Sequence, residues 1–415
     1  MGTSEGESAE VDRVFREVYG HAVATLARVF GDISIAEDAV QDAFVVATRR
    51  WRRDGIPPNP AGWIVTTARN RAIDQLRRTA RGRELTRLMD APSGPPSETT
   101  ADADEAEGTV RDDRLRLIFT CCHPALRTEH QVALTLRLIG GLSVAEIASG
   151  FLVTEPTMAK RLVRAKYKIK AANIPYKVPA ETDLPKRLRP VLSVLYLIYC
   201  AGCDDLEERV ALREEAIRLA RSLVTLIPDE PETAGLLALM LLNESRVPGR
   251  TLDGAVVLLR DQKRPDWDQR MIGEGQAIVR DCVRRGRPGP YQLQAAIQAV
   301  HSNAKTFVAT DWVQIVTLYD HLYSVMPSPV VALNRAIAIA ETKGPGAGLA
   351  ELDVLNAELD NYYPLHAARA AALRRLGRTD EARHAFERAA ELATSAADRN
   401  YFVAQLHQLS EFGDN

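Results

Sequence analysis

The chain has 415 residues, and its 53 Lys and Arg nearly balance its 55 Asp and Glu, which leaves a formal net charge of −2. Hydrophobic residues make up 46% and charged residues 26%, a globular composition that excludes the disordered and collagen-like classes. No apolar run approaches the ~18 residues of a membrane span, and the acidic N-terminal residues lack the apolar core of a secretion signal. Five cysteines do not make a disulfide framework, so we expect a cytoplasmic protein of two or three domains.

The small net charge conceals two basic blocks. Residues 49–83 hold ten arginines against two aspartates, and residues 112–177 hold eleven Lys and Arg against five acids. Residues 90–113 carry eight acids and one arginine. This order favours two polyanion-binding modules joined by an acidic tether, although solvated faces of ordinary helices would give the same charges.

Apolar spacing predicts helices in the N-terminal part of the chain. Apolar residues recur at helical spacing through residues 11–30 and 35–51. A proline-rich break at 57–60 follows, and helix resumes from Ala61 to about Arg83.

A second helical group is predicted over residues 112–172, after a Pro-, Ser-, Thr- and acid-rich linker at 90–109. Two capping boxes mark helix starts in this group, Thr128 with Gln131 and Ser143 with Glu146.

From about residue 184 the pattern is again helical, and no segment alternates with period two for long, so we expect an all-α fold without a sheet. Residues 366–392 have small residues at Ala370 and Ala382 and a turn at Gly377, which is typical of a tetratricopeptide repeat. A plain helical bundle is the alternative.

The strongest local pattern is residues 143–170, which predicts a helix-turn-helix. Its second helix follows Thr154 and has Pro156 in its first turn, where a missing amide does no harm. In this motif the N-terminal residues of the second helix meet base edges in the major groove, and later basic residues contact phosphates. Leu162, Val163 and Ile169 are expected to face inward. The candidate DNA contacts are Thr154, Glu155, Thr157, Met158, Lys160, Arg161, Arg164, Lys166, Lys168 and Lys170. A helical hairpin that merely carries basic residues is the alternative.

A second pattern lies in residues 63–83, where one apolar stripe is flanked by arginine, asparagine and glutamine. These residue types beside Trp63 suit a splayed single strand, which they would hold by stacking and amide hydrogen bonds. A solvated amphipathic helix would look the same.

In their order and spacing, these elements resemble a bacterial RNA polymerase sigma factor of the ECF (extracytoplasmic function) type over residues 11–178. Residues 36–51 (AEDAVQDAFVVATRRW) look like region 2.2, residues 57–78 look like regions 2.3 and 2.4, and residues 112–172 look like region 4. The resemblance implies four parts: sigma region 2 at 10–85, an acidic flexible linker at 86–111, the region 4 helix-turn-helix at 112–178, and a C-terminal tetratricopeptide-like helical domain at 184–410.

The resemblance also implies roles for particular residues. Region 2.2 would dock on the β′ clamp helices of the polymerase core, through Asp38, Gln41, Asp42 and Phe44. Regions 2.3 and 2.4 would melt and hold the −10 element, through Trp63, Arg69, Asn70, Asp74, Arg77 and Arg78. Region 4 would bind the −35 element and the β flap, and the linker would either thread the nucleic-acid channel or serve as a tether.

The chain continues well beyond region 4, where minimal ECF factors end. The whole sequence looks like the ECF subgroup with a tetratricopeptide-like C-terminal extension, on residues 285–297, the pair Asp311 and Trp312, and residues 328–341. The extension would control promoter recognition, either within the chain or through a bound protein or peptide. The sequence is compatible with activation and with inhibition.

No hydrolase motif, metalloprotease motif or phosphate-binding glycine loop is present, so we expect no enzyme, no cofactor and no metal. Cys200 and Cys203 form a C-x-x-C within an apolar run, where buried thiols are expected rather than a redox or zinc site. His301 and His366 are expected to pack or to lie at the surface. A helix-turn-helix regulator with a helical sensor domain, and a protein scaffold, are the alternative functions.

Overall fold

The computed structural model describes residues 2–78, 113–151, 153–202, 207–252, 255–393 and 395–411. It divides into two compact units, Met1–Leu219 and Ala220–Asn415. Regular structure in the described residues is helical except for one pair of two-residue strands, which confirms the predicted all-α fold. The predicted linker at 86–111 lies outside these residues. No described helix is long and apolar enough to cross a membrane.

The first unit contains the helices that carry both basic blocks. They are α1 (Gly2–Phe30), α2 (Ile33–Asp54), α3 (Pro60–Arg78), α4 (113–121), α5 (Thr128–Leu134), α6 (Val144–Gly150), α7 (Glu155–Ala171) and α8 (Leu184–Ala201). A π-helical turn, Thr135–Ile139, continues α5. The division between the units falls within α9 (Glu207–Leu226).

Helices α1, α2 and α3 pack together through small side chains. Ala39 and Ala43 on α2 and Ala68 on α3 are fully buried, and such small residues let helices approach closely. Helix α2 begins where the Asp32 carboxylate accepts a hydrogen bond of 2.8 Å from the backbone N–H of Ser34. The helices predicted for 11–30 and 35–51 are confirmed.

The helix-turn-helix consists of α6 and α7. Its predicted capping box is confirmed, since Ser143 Oγ accepts from the Glu146 N–H at 3.1 Å and the Glu146 carboxylate accepts from the Ser143 N–H at 2.7 Å. The box predicted at Thr128 is wrong, because Thr128 lies inside α5 and the Gln131 side chain donates instead to the His123 and Leu126 carbonyls.

The second unit is a series of helices after α9. They are α10 (Pro231–Glu244), α11 (Gln269–Arg285), α12 (Pro290–Asn303), α13 (Trp312–Val325), α14 (Pro329–Lys343), α15 (Pro345–Val354), α16 (Asn356–Leu359), α17 (Tyr363–Arg375), α18 (Thr379–Leu392) and α19 (Ala396–Glu411). Between α10 and α11, β1 (Thr251–Leu252) pairs antiparallel with β2 (Ala255–Val256). The expectation of no sheet fails at this point, because two-residue strands are too short to leave an alternating pattern.

The helical hairpin predicted for residues 366–392 is confirmed by α17 and α18. Gly377 makes the turn at φ +73°, and Ala370 and Ala382 are fully buried where the two helices meet. Packing runs in chain order, from α13 to α14 to α15, then to α17, α18 and α19. Contact with sequence neighbours is the arrangement of a helical repeat array.

The three segments that resembled the C-terminal extension each begin a helix. The Glu232 carboxylate of α10 accepts from the backbone N–H groups of Tyr291 and Gln292 at 3.2 Å and so caps α12. A side chain at Gly289 would overlap that carboxylate. Asp311 caps α13 by accepting from the Gln314 N–H at 2.9 Å, and the Ser328 hydroxyl caps α14.

Candidate nucleic-acid and polymerase interface

The outer face of α7 carries the residues predicted to read DNA. Its inner face is fixed by the buried side chains of Met158, Leu162 and Ala165. The side chains of Thr154, Glu155, Thr157, Lys160 and Arg164 are exposed, and Arg161 is partly exposed. The start of the helix therefore presents polar and basic groups together, as the helix-turn-helix prediction requires.

Two local expectations for α7 are wrong. Val163 is 64% exposed, because the buried stripe passes through its neighbour Leu162 and leaves Val163 on the open side. Met158, expected to meet a base edge, is 2% exposed and belongs to the buried stripe. Thr154 does occupy the N-cap position, and its hydroxyl bonds the Thr157 hydroxyl at 2.8 Å. The Thr154 and Thr157 side chains consequently hold each other at the start of the helix.

The other end of α7 contacts α2 through a buried carboxylate. Glu37 is only 4% exposed. Its Oε1 accepts from Arg137 Nε at 2.6 Å, and its Oε2 accepts from Lys166 Nζ at 2.9 Å. Gln41 Nε2 donates to the same Oε1 at 2.9 Å. Lys166, predicted to contact a DNA phosphate, is thus engaged inside the protein in this conformation.

Further contacts join the two predicted sigma regions within the first unit. Arg28 Nε donates to the buried Asp113 carboxylate at 2.9 Å, and the Tyr176 hydroxyl donates to the Ala24 carbonyl at 2.8 Å. Burial raises the pKa of Tyr176, and the nearby Asp113 raises it further. Gly20 on α1 lies so close to Ile139 that a methyl group there would be 2.6 Å from the Ile139 carbonyl oxygen. Regions 2 and 4 are therefore packed together.

A cavity of about 780 Å³ lies beside this contact. Its walls come from the turn between α1 and α2, from Leu76 of α3, and from Val163, Tyr167 and Ile169 of α7. Lys170 crosses one side and pairs with Asp32 at 3.2 Å.

The predicted polymerase-docking residues on α2 differ in exposure: three lie at the surface and one lies in the core. The Asp38 and Asp42 side chains are exposed and Gln41 is partly exposed. Partial burial raises the pKa of Asp38, opposed by Lys166. Phe44 is 6% exposed, with its ring centroid 4.5 Å from that of Phe15. This position is a correction to its predicted role, since a buried ring offers little surface to a partner.

The polar face of α3 holds the residues predicted to bind the −10 element. Trp63 is partly exposed, and its ring lies edge-on to Trp51 at 5.5 Å between centroids. Asn70, Asp74 and Arg77 are exposed, whereas Arg69 is partly buried and its Nε has no hydrogen-bond partner. The Arg78 side chain lies outside the described residues.

Helix α8 and the start of α9 also belong to the first unit, although the predicted C-terminal domain begins at residue 184. Arg187 Nη2 of α8 donates to the Phe119 carbonyl of α4 at 3.0 Å. A methyl group on Gly140 would lie 2.8 Å from Glu215 Oε1 of α9. The first helices of the extension are thus anchored on region 4.

The cysteines in the described residues do not assemble a metal site. Cys121 and Cys122 are buried, and burial raises the pKa of the Cys122 thiol to about 12. Cys200 is exposed, which corrects the expectation of a buried thiol, and Cys203 lies outside the described residues. Across the described part of the chain, no group of three or more His, Cys, Asp and Glu could hold a metal ion.

Family comparisons match the two predicted sigma regions. Residues 14–82 match the family Sigma-70 region 2, and residues 116–169 match the family Sigma-70, region 4. Residues 187–283 match a family of unknown function, DUF6596. No solved structure matches the chain significantly. These matches define the chain as a protein with sigma-70 regions 2 and 4, followed by an additional helical domain.

Similar proteins of known family place the chain more closely within the sigma-70 proteins. The chain is 32% identical over 167 residues to the ECF RNA polymerase sigma factor SigL of Mycobacterium tuberculosis, which covers 39% of this chain and 90% of that protein. It is 24% identical over 155 residues to the ECF RNA polymerase sigma factor SigK of Mycobacterium ulcerans, which covers 36% of this chain and 76% of that protein. An uncharacterized protein of Rhizobium meliloti is 43% identical over 403 residues, 94% of this chain and 93% of that protein.

The chain therefore belongs to the ECF sigma factor family, whose members are alternative sigma factors for transcription initiation. Membership implies RNA polymerase core and promoter DNA as partners, and the family is not enzymatic.

Proposed function

We propose that this sigma factor reads the −35 element with the N-terminal half of α7 and the −10 element with the outer face of α3. The exposed polar and basic start of α7 carries the proposal, because its inner face is fixed in the core and its outer face is open. Thr154, Glu155, Thr157, Lys160 and Arg161 contact base edges, and Arg164 contacts phosphate. Trp63, Arg69, Asn70, Asp74, Arg77 and Arg78 hold the melted −10 strand.

Run-off transcription with purified core polymerase on a genomic fragment library tests this placement. Each base contact is worth roughly 1–3 kcal/mol, so the double variant Lys160→Ala/Arg161→Ala should lower transcript yield about tenfold or more. The double variant Lys177→Ala/Lys186→Ala is a matched control, because it removes the same charge from exposed positions after the helix-turn-helix. Equal losses in both would indicate general electrostatic attraction and reject base reading by α7.

We propose that the exposed part of α2 binds the β′ clamp helices of the core through Asp38, Gln41 and Asp42. Two carboxylates one helical turn apart repel each other in isolation, and a cationic partner surface would relieve that cost. Asp38→Arg should therefore weaken core binding in a pull-down, while Glu129→Arg, an exposed reversal on region 4, should not. Wild-type binding by Asp38→Arg would exclude this docking face.

We propose that the C-terminal domain controls activity, alone or with a protein or peptide bound to its helical array. The anchoring of Arg187 and Glu215 on region 4 supports this proposal, because the extension begins inside the first compact unit. A chain ending after Leu219 keeps that unit whole and should be compared with the full chain in run-off transcription. More transcript from the shorter chain identifies an inhibitory domain, less identifies a required one, and equal yields would reject control.

A further inference from the structure

Residues 247–252 and 255–268 of the second unit form an irregular segment that buries polar side chains. The segment contains two short 3-10 turns, Val247–Gly249 and Arg264–Asp266, and the strands β1 and β2. Its hydrophilic sequence KRPDWD (263–268) is typical of an exposed loop. Nevertheless Arg264 is 7% exposed and Trp267 is 2% exposed. Burial of an arginine from such a sequence requires a specific reason.

Only part of the Arg264 guanidinium has a hydrogen-bond acceptor. Its Nη1 donates to the backbone carbonyl of His301, and its central carbon lies 4.4 Å from the centroid of the Trp267 ring. Its Nε and Nη2 are buried and have no hydrogen-bond partner. These two N–H groups form one edge of the planar guanidinium, and this edge pairs with both oxygens of a carboxylate in bidentate ion pairs.

Other unpartnered polar atoms lie around Arg264. Trp267 Nε1, Gln262 Oε1 and His301 Nδ1 are buried without hydrogen bonds. The first two face the same backbone position, since a methyl group on Gly249 would lie 3.0 Å from Trp267 Nε1 and 3.8 Å from Gln262 Oε1. Two of these residues also contact Arg264, since the Trp267 ring lies against its guanidinium and the His301 carbonyl accepts from it.

The surroundings of Arg264 supply no compensating negative charge. Within the described ranges no carboxylate forms an ion pair with Arg264, and burial lowers its pKa. His301 cannot serve as an anion. Its pKa is lowered to about 3 by burial and then by Arg246 and Arg264, so it is neutral at pH 7. A buried charge with neither a counter-charge nor a full set of hydrogen bonds is unfavourable, and natural proteins retain such groups mainly where they function.

We propose that Arg264, Trp267 and His301 form a binding site for a small carboxylate ligand. The carboxylate oxygens accept from Nε and Nη2 of Arg264, and the indole N–H of Trp267 provides a third donor. The body of the ligand lies against aromatic rings, since His301 packs edge-on to Trp312 at 5.2 Å between centroids. A monoanion balances the single positive charge of Arg264, whereas a dianionic phosphate would leave a second charge buried.

The ligand enters by displacement of the loop that carries Arg264. The unpartnered edge of the guanidinium is closed to solvent in the present conformation, and residues 255–268, which carry Arg264, include no α-helix. Irregular segments open at lower cost than packed helices.

Thermal unfolding of the full chain tests the site with sodium acetate as the probe, against sodium chloride at equal ionic strength. Acetate at about ten times its dissociation constant should raise the melting temperature by at least about 2 °C. Arg264→Met should abolish the rise, and so should Arg264→Lys, which keeps the charge but loses the planar edge. Arg260→Met is the matched control, because Arg260 also lies over an aromatic ring, Phe307 at 5.3 Å, but pairs with Glu341. This control should keep the rise.

A second readout needs no ligand. Without acetate, Arg264→Met should melt at or above the wild-type temperature, because it removes a buried charge that has no counter-charge. A lower melting temperature would make Arg264 a structural group and overturn the proposal. The proposal also fails if acetate acts no more strongly than chloride, if Arg264→Met still responds, or if inorganic phosphate stabilises the wild type more than acetate does.

Discussion

Both compact units bury charged side chains, and two of these, Glu37 and Arg264, differ in how their charge is balanced. Glu37 in the first unit receives hydrogen bonds from Arg137, Lys166 and Gln41. Arg264 in the second unit has one backbone acceptor and an empty edge. The burial of the two residues is similar, so burial alone does not distinguish them. A compensated charge fixes which surfaces meet, whereas an uncompensated one keeps donors unpaired that a bound anion could accept from.

The ion pairs of Glu37 also join two surfaces that the sequence predicts to be functional. Glu37 lies in the stretch that resembles region 2.2, and Lys166 lies on the helix that resembles the −35 reader. Of the predicted DNA contacts on α7, Lys166 is engaged by this carboxylate, so its use for a DNA phosphate would have to break its ion pair with Glu37.

The largest expected effect comes from removing the Glu37 charge. Glu37→Gln keeps the shape but leaves Arg137 and Lys166 without their shared anion, which should lower the free energy of unfolding of the first unit by about 3 kcal/mol. Denaturant unfolding of the full chain, followed by hydrogen exchange of α2 and α7, measures it. Asp42→Asn is the control, because Asp42 is exposed and its nearest cation, Arg71, lies 4.0 Å away. A loss no greater than that of Asp42→Asn would show that the buried network contributes little.

The next largest effect is a pH dependence of the stability of the second unit, caused by His301. The pKa of His301 is lowered to about 3 in the folded chain, whereas an unfolded histidine titrates near pH 6.5. The unfolded chain therefore binds more protons between about pH 3 and 6.5, so stability is lost as the pH falls from 7. At pH 5 the loss should be about 2 kcal/mol. His301→Phe keeps an aromatic ring against Trp312 and should remove this component from calorimetric unfolding at pH 7 and pH 5.

The matched variant for this measurement is His384→Gln on α18, where the side chain is exposed. It should keep the pH dependence of the wild type. If His301→Phe also keeps that dependence, burial does not hold the histidine neutral in the folded chain.

Local signals predicted the parts of the fold that short-range chemistry controls. Ser143 and Glu146 lie three positions apart and cap each other, so a short stretch of sequence is enough to predict their interaction. Phe44 could have been assigned to the core in the same way, since it shares the buried stripe of Val40 and Ala47 on α2. The error there came from carrying a family role onto a residue without weighing its position on the helix face.

The contacts that distinguish this molecule lie beyond such signals. Arg137 and Lys166 are 100 and 129 positions from Glu37, and no periodicity links residues so far apart. The burial of Arg264 was equally unpredictable, because KRPDWD has the composition of a solvated turn and only tertiary packing makes it internal. The family could therefore be recognised from the sequence, whereas the buried charges at Glu37 and Arg264 could not be predicted from it.

The smallest expected change in stability concerns the exposed ion pair between Lys170 and Asp32, which lies beside the Glu37 contact. Lys170 and Asp32 also join α7 to the start of α2, at 3.2 Å, but the Lys170 side chain is 73% exposed. Exposed pairs contribute roughly 0–1 kcal/mol and are screened by salt. Lys170→Ala should therefore change the free energy of unfolding by less than about 0.5 kcal/mol, and the difference should vanish at high salt. A loss comparable to that of Glu37→Gln would mean that the two regions are held together along their whole boundary, rather than by the buried carboxylate.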